Sequence, residues 1–174
     1  MIGVLLQMTA TNSVEDNFNV VKDACRRAKH THHATMLFLP ENFAFMSAHK
    51  GEAQRIAEPL DGPIIARYRA LAKEHTLWLS LGGFQEASAD DGDPRSYNTH
   101  LIVDSAGEIK AAYRKLHLYD APFTGLVEST QAISGSDIVV ADSPVGRLGV
   151  TICYDVRFPQ LYQRPRFEHG AALL

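Results

Sequence analysis

Three side chains in this sequence have types suited to acyl transfer, and each stands at the end of a short apolar run. Cys153 follows Arg147-Leu148-Gly149-Val150-Thr151-Ile152 and precedes Tyr154-Asp155-Val156-Arg157-Phe158-Pro159. The first stretch is aliphatic and β-branched and is bounded by the turn signal Ser143-Pro144-Val145-Gly146, so it reads as a buried strand. The second reads as a loop entering a helix, with Pro159 placed for a first helical turn. A thiol at that elbow sits at the mouth of a sheet, and N–H groups at a helix start favour the thiolate there. Glu41 follows the strand-like Met36–Leu39 after Pro40, and Lys115 ends the run that leads into Leu116 and His117. A lone cysteine in an apolar run is ordinarily a small buried hydrophobe. A carboxylate and an ammonium at two other strand ends change that reading, because active sites of open α/β sheets collect at strand ends.

The elements that must position these groups alternate between strand and helix. Ile2–Met8 reads as a strand. Asn12 or Ser13 caps a helix to about Lys29, with Val14, Phe18, Val21 and Cys25 on one face. Thr35–Leu39 is the next strand. Asp61-Gly62-Pro63 opens a second helix to about Glu74, and Leu77–Leu81 is a strand running into Gly82-Gly83. After a polar loop, Glu86–Arg95, the turns Ser105-Ala106-Gly107 and Asp142–Gly146 mark two hairpins, Tyr97–Asp104 with Glu108–Arg114 and Ile138–Ala141 with Arg147–Ile152. Pro159–His169 reads as a helix and Ala171–Leu174 as the opening of another strand. No repeat, low-complexity tract or linker interrupts residues 1–174, which read as one domain.

Composition bounds the class. The 174 residues are 45% hydrophobic and 21% charged, as expected for a globular chain with one core. A net charge of -3 argues against a nucleic-acid partner. No apolar run is long enough for a membrane helix, and the N-terminus enters a strand without a signal peptide. The two cysteines, Cys25 and Cys153, sit in different contexts, which argues against a disulfide scaffold and for a reducing, cytoplasmic setting.

Several other groups take plain readings. Cys25 is a core residue of the first helix. His30, His32 and His33 form a solvated helix end with no second ligand group at zinc spacing. Asp90, Asp91 and Asp93 fit no complete calcium loop. Gly82-Gly83 lacks the Lys-Ser/Thr of a phosphate loop. His117 is read as a structural hydrogen-bonding residue, and Arg157 either pairs with a carboxylate or contacts substrate.

The segments Leu39-Pro40-Glu41-Asn42-Phe43, Tyr113-Arg114-Lys115-Leu116-His117 and Gly149–Pro159 resemble the three signature motifs of the nitrilase superfamily, carbon–nitrogen hydrolases with a Glu-Lys-Cys triad. Ala57–Pro63, Trp78–Phe84 and Arg166–His169 are most similar to the branch of amidases that act on deaminated glutathione. The resemblance implies an α/β fold, a four-layer α-β-β-α sandwich, here incomplete at the C-terminus because the family continues past Leu174. It implies Glu41, Lys115 and Cys153 as catalytic residues, with Glu128, Tyr154 and Arg157 in support. Glu41 would move protons and activate water, Lys115 would favour the thiolate and oppose charge on the carbonyl oxygen, and the Tyr154 N–H would be a second donor to that oxygen.

No metal or organic cofactor is implied. The implied partner is a small-molecule amide, an α-keto acid amide cleaved to α-ketoglutarate and cysteinylglycine, with a homodimer if the full domain is present. Pro165 departs from the family's apolar helix former and is expected to weaken its helix. The alternatives are a truncated, non-catalytic remnant that binds a partner, or a related hydrolase of nitriles or N-carbamoyl compounds.

Overall fold

The computed structural model describes residues 1–90 and 92–174, so Asp91 of the acidic turn lies outside the described residues. The first part of the chain runs β1 (Gly3–Leu5), α1 (Val14–His30), β2 (Met36–Leu39), α2 (Glu52–Ile56), α3 (Pro63–His75), β3 (Trp78–Ala87), β4 (Ser96–Val103) and β5 (Ile109–Arg114). The second part adds β6 (Asp120–Ala121), β7 (Leu126–Val127), β8 (Ala132–Ile133), β9 (Val139–Ser143), β10 (Gly146–Val150), a 3-10 turn at Cys153–Arg157 and α4 (Pro159–Phe167).

Local chemistry starts the helices. Ser13 Oγ accepts from the Asp16 N–H at 3.2 Å, Glu15 and Asp16 lie at the positive end of α1, and Arg27, Lys29 and His30 lie at its negative end. The start of α3 is capped from a distance. The buried Glu58 carboxylate accepts from the N–H groups of Ile64 and Ile65 at 2.8 and 2.7 Å.

Strands β1 to β5 lie side by side in chain order. The pairs β1–β2 and β2–β3 are parallel, β3–β4 and β4–β5 are antiparallel, and β8 joins β4 to make six strands. The period of two in β2 splits its side chains between two cores. Leu37 and Leu39 pack with Val21, Cys25, Ile65, Tyr68 and Leu71 of α1 and α3. Met36 and Phe38 face the other way and meet Leu148, Val150 and Ile152 beside the antiparallel β9–β10 hairpin. Leu161 and Pro165 of α4 are buried, Pro165 standing against Gly149 of β10. The layers are therefore helix, sheet, hairpin, helix, the α-β-β-α sandwich the sequence leads one to expect.

Several boundaries differ from the sequence reading. The first strand is three residues, not seven, because Leu5 is exposed and only Gly3–Leu5 pair with β2. Strand β3 does not stop at Gly82-Gly83 but runs through them with a register slip between Leu81 and Phe84. Residues Ala171–Leu174 contribute a single bridge, Leu173 to Leu148, and α2 had no periodicity to betray it. Pro165 does not end α4. The helix forgoes a hydrogen bond to the Leu161 carbonyl, and the ring fills the space that Gly149 leaves.

Candidate active site

Glu41 is aimed by the turn that closes β2. Asn42 adopts a left-handed φ of 60°, its N–H donates to the Gly83 carbonyl at 2.9 Å, and its Oδ1 accepts from Gln85 Nε2 at 2.9 Å. The chain crosses so close to β3 that a Cβ on Gly82 would collide with the Leu39 carbonyl. Gly83, at φ 144°, leaves room for both Glu41 and Asn98. Glu41 Oε1 then accepts from Asn98 Nδ2 at 2.6 Å and from Lys115 Nζ at 3.2 Å.

Lys115 is the residue after β5. Its N–H donates to the Asn98 carbonyl at 2.9 Å and its own carbonyl accepts from Gly135 at 2.8 Å, so the backbone under the ammonium is fixed on both sides. The side chain is only 2% exposed. Nζ also meets Glu128 Oε1 and Oε2 at 3.1 and 2.9 Å, and Glu128 Oε2 accepts from the Tyr119 N–H at 2.6 Å. Burial acts to push the ammonium pKa down. The Glu41 charge, followed by the hydrogen bond and charge of Glu128, outweighs it and holds Lys115 above its ordinary value.

Cys153 opens the 3-10 turn with a left-handed φ of 45°, a conformation that turns its side chain out of the strand line. Glu41, Lys115, Glu128 and Cys153 all line one cleft of about 770 Å³, whose walls include Asn98, Tyr119 and Gln131. The Cys153 thiol is pushed up. Burial is the largest cause, followed by the charge and hydrogen bonding of Glu41, and Lys115 opposes them without winning. This reverses the expectation of a favoured resting thiolate. The Lys115 ammonium is already shared between Glu41 and Glu128, which limits its pull on the thiol.

The remaining sequence candidates separate. Glu128 is brought onto Lys115. The Tyr154 N–H donates to no carbonyl among the described residues, and the Tyr154 ring packs edge-on against Tyr119 and Phe158. Arg157 is exposed, makes no ion pair among the described residues and is not part of the cleft wall. Asn98 was not singled out by sequence. A polar residue in the middle of a strand pattern, inside Tyr97-Asn98-Thr99, is the signal that could have found it.

Cys25 is fully buried and burial pushes its thiol up to about 12, in keeping with a core residue. His32 and His33 are exposed, and no cluster among the described residues is arranged to hold a metal ion. Asp93 pairs with Arg95 at 2.7 Å. No helix among the described residues is long and apolar enough to cross a membrane.

Comparison with known proteins gives the family. Residues 5–172 match the model of the carbon–nitrogen hydrolase family. The deaminated glutathione amidase of Dictyostelium discoideum is 49% identical over 97% of this chain and 60% of its own length. The human protein of that name is 37% identical over 89% of this chain and 49% of its own. The crystal structure of the Caenorhabditis elegans NitFhit protein superposes with a TM-score of 0.83 at 41% identity, covering 94% of this chain and 41% of that one. This chain thus spans between 41% and 60% of the length of these relatives. By sequence, by fold and by the motifs that line its cleft, it belongs to the carbon–nitrogen hydrolase family.

Proposed function

We propose that this chain carries the site of an amidase that cleaves a non-peptide carbon–nitrogen bond in a small molecule through a thioester on Cys153. The observation that carries the reading is the convergence of Glu41, Lys115 and Cys153 on one cleft, with Lys115 buried between two carboxylates. Glu41 takes the thiol proton as sulfur attacks the amide carbon. Lys115 Nζ and the Tyr154 N–H oppose the charge that develops on the carbonyl oxygen. Glu41 passes the proton to the departing amine, then draws one from water as that water attacks the thioester, releasing the acid and restoring the thiol. Glu128 keeps Lys115 charged and in place throughout.

The substrate that fits the family relatives is deaminated glutathione, split to α-ketoglutarate and cysteinylglycine. Two free cysteines suit a reducing compartment such as the cytoplasm. The exposed Val156 and Phe167 supply apolar surface for a second copy of the chain. Turnover of deaminated glutathione, compared with a simple nitrile and with N-carbamoyl-β-alanine, tests the reading. Preference for either of the latter two substrates would displace the substrate assignment.

A further inference from the structure

We propose that Asp155 is the positioning residue that clamps the Cys153 elbow to the strand end bearing Lys115. Its carboxylate is fully buried, a location that is costly for a charge unless donors surround it. Four contacts do so. Oδ2 accepts from Tyr113 Oη at 2.6 Å and from the Ile152 N–H at 3.0 Å. Oδ1 accepts from the His117 N–H at 3.1 Å and lies 2.7 Å from His117 Nδ1.

These donors come from only two segments. Tyr113 and His117 stand two residues before and two residues after Lys115, and Ile152 immediately precedes Cys153. Tyr113 Oη in turn accepts from the Leu116 N–H at 3.2 Å, and the His117 ring stacks on Phe158 with centroids 3.6 Å apart, closing the far side of the turn. Left-handed φ at a non-glycine residue persists where neighbours over-determine it. The bond from Ile152 supplies that constraint one residue upstream of the thiol. Asp155 is not among the residues lining the cleft, so its effect passes through the backbone it holds. The titratable groups facing it are Tyr113 and His117; those facing Cys153 are Glu41, Lys115 and Glu128.

The inference rests on Cys153 being paired with Glu41, and alkylation by iodoacetamide across a pH range reads both. In the unaltered chain the Cys153 rate should rise with a midpoint above that of an ordinary thiol, while the buried Cys25 stays unlabelled. Asp155→Asn should leave Cys25 protected and let the Cys153 midpoint fall toward the value of about 8.5 of a free cysteine, because the thiol leaves its place beside Glu41. Tyr113→Phe, which deletes one donor, should move it the same way by less.

If Asp155→Asn exposes Cys25, that variant has lost the fold and Tyr113→Phe decides. An unchanged midpoint with Cys25 protected overturns the clamp. Glu41→Gln separates the two claims. It should lower the midpoint by removing the carboxylate. If it does so while the Asp155 and Tyr113 variants do not, the clamp alone fails. If it does not, the pairing with Glu41 and the clamp fall together.

Discussion

Asn98 Nδ2 and Lys115 Nζ converge on a single oxygen of Glu41, at 2.6 and 3.2 Å. That leaves the second carboxylate oxygen free of both, and it brings together a neutral donor from β4 and a charged one from just past the end of the neighbouring β5. Hydrogen bonds to charged groups are worth about 1.5–3 kcal/mol. Asn98→Ala is therefore expected to lower kcat for amide hydrolysis roughly 10- to 100-fold, with a smaller change in KM. Steady-state kinetics on the amide substrate check this, and an unchanged kcat would remove Asn98 from the site.

Gly83 gives a sharper steric test. A Cβ there would stand 2.5 Å from Asn98 Oδ1 and 3.3 Å from Glu41 Cγ, on a backbone with φ of 144°. Gly83→Ala should both destabilise the chain and impair hydrolysis, because strain of about 1–3 kcal/mol is released by displacing the Glu41 carboxylate, the proposed base. Thermal melting together with kinetics would show it. A variant with wild-type Tm and kcat would mean that the turn yields elsewhere.

How much of this was legible in the sequence depends on the range of the interaction. The strands leading to Glu41, Lys115 and Cys153 were readable because apolar runs and turn residues are local signals, and the motifs around them carried the family resemblance. Gly82-Gly83 looked like a strand end. Their role, giving Leu39 and Asn98 room, depends on a neighbour some forty residues earlier and another fifteen later, which no periodicity encodes. The raised Cys153 thiol was hidden for the same reason. Whether Lys115 acts on the thiol depends on how many carboxylates share it, and Glu128 reaches it through a loop whose path the sequence does not specify.

Acid should weaken the fold through His100. Its Nδ1 lies 3.0 Å from the Thr151 carbonyl, which can only accept, so Nδ1 carries the proton and Nε2 faces Ser80 Oγ at 2.7 Å as an acceptor. Burial holds the imidazole pKa down to about 4, against an ordinary value of 6.5. With the folded value depressed, stability is fully present above 6.5 and is lost as pH falls toward 4, because the unfolded chain takes up the proton first. The loss is of order 3 kcal/mol. Denaturant titrations at pH 7 and pH 4.5 should differ accordingly, and His100→Gln should flatten that difference.

Base should act through Cys25. Its thiol is pushed up to about 12 by burial, with Glu74 adding a smaller repulsion. A raised folded value means stability is fully present below the unfolded thiol pKa of about 8.5 and is lost as pH climbs from there toward 12. The fall in Tm over that window should shrink in Cys25→Ala, measured against each protein's own value at pH 7. An identical alkaline slope in the two proteins would assign the effect to other groups.

The most direct measurement is the mass of the chain during turnover. With deaminated glutathione present and the reaction quenched in acid, peptide mass spectrometry should find the acyl group of the substrate on the peptide containing Cys153 as a thioester. The adduct should be absent in Cys153→Ala, which should also show no hydrolysis. An acyl group on any other residue, or undiminished hydrolysis in Cys153→Ala, would contradict a thioester mechanism at this site.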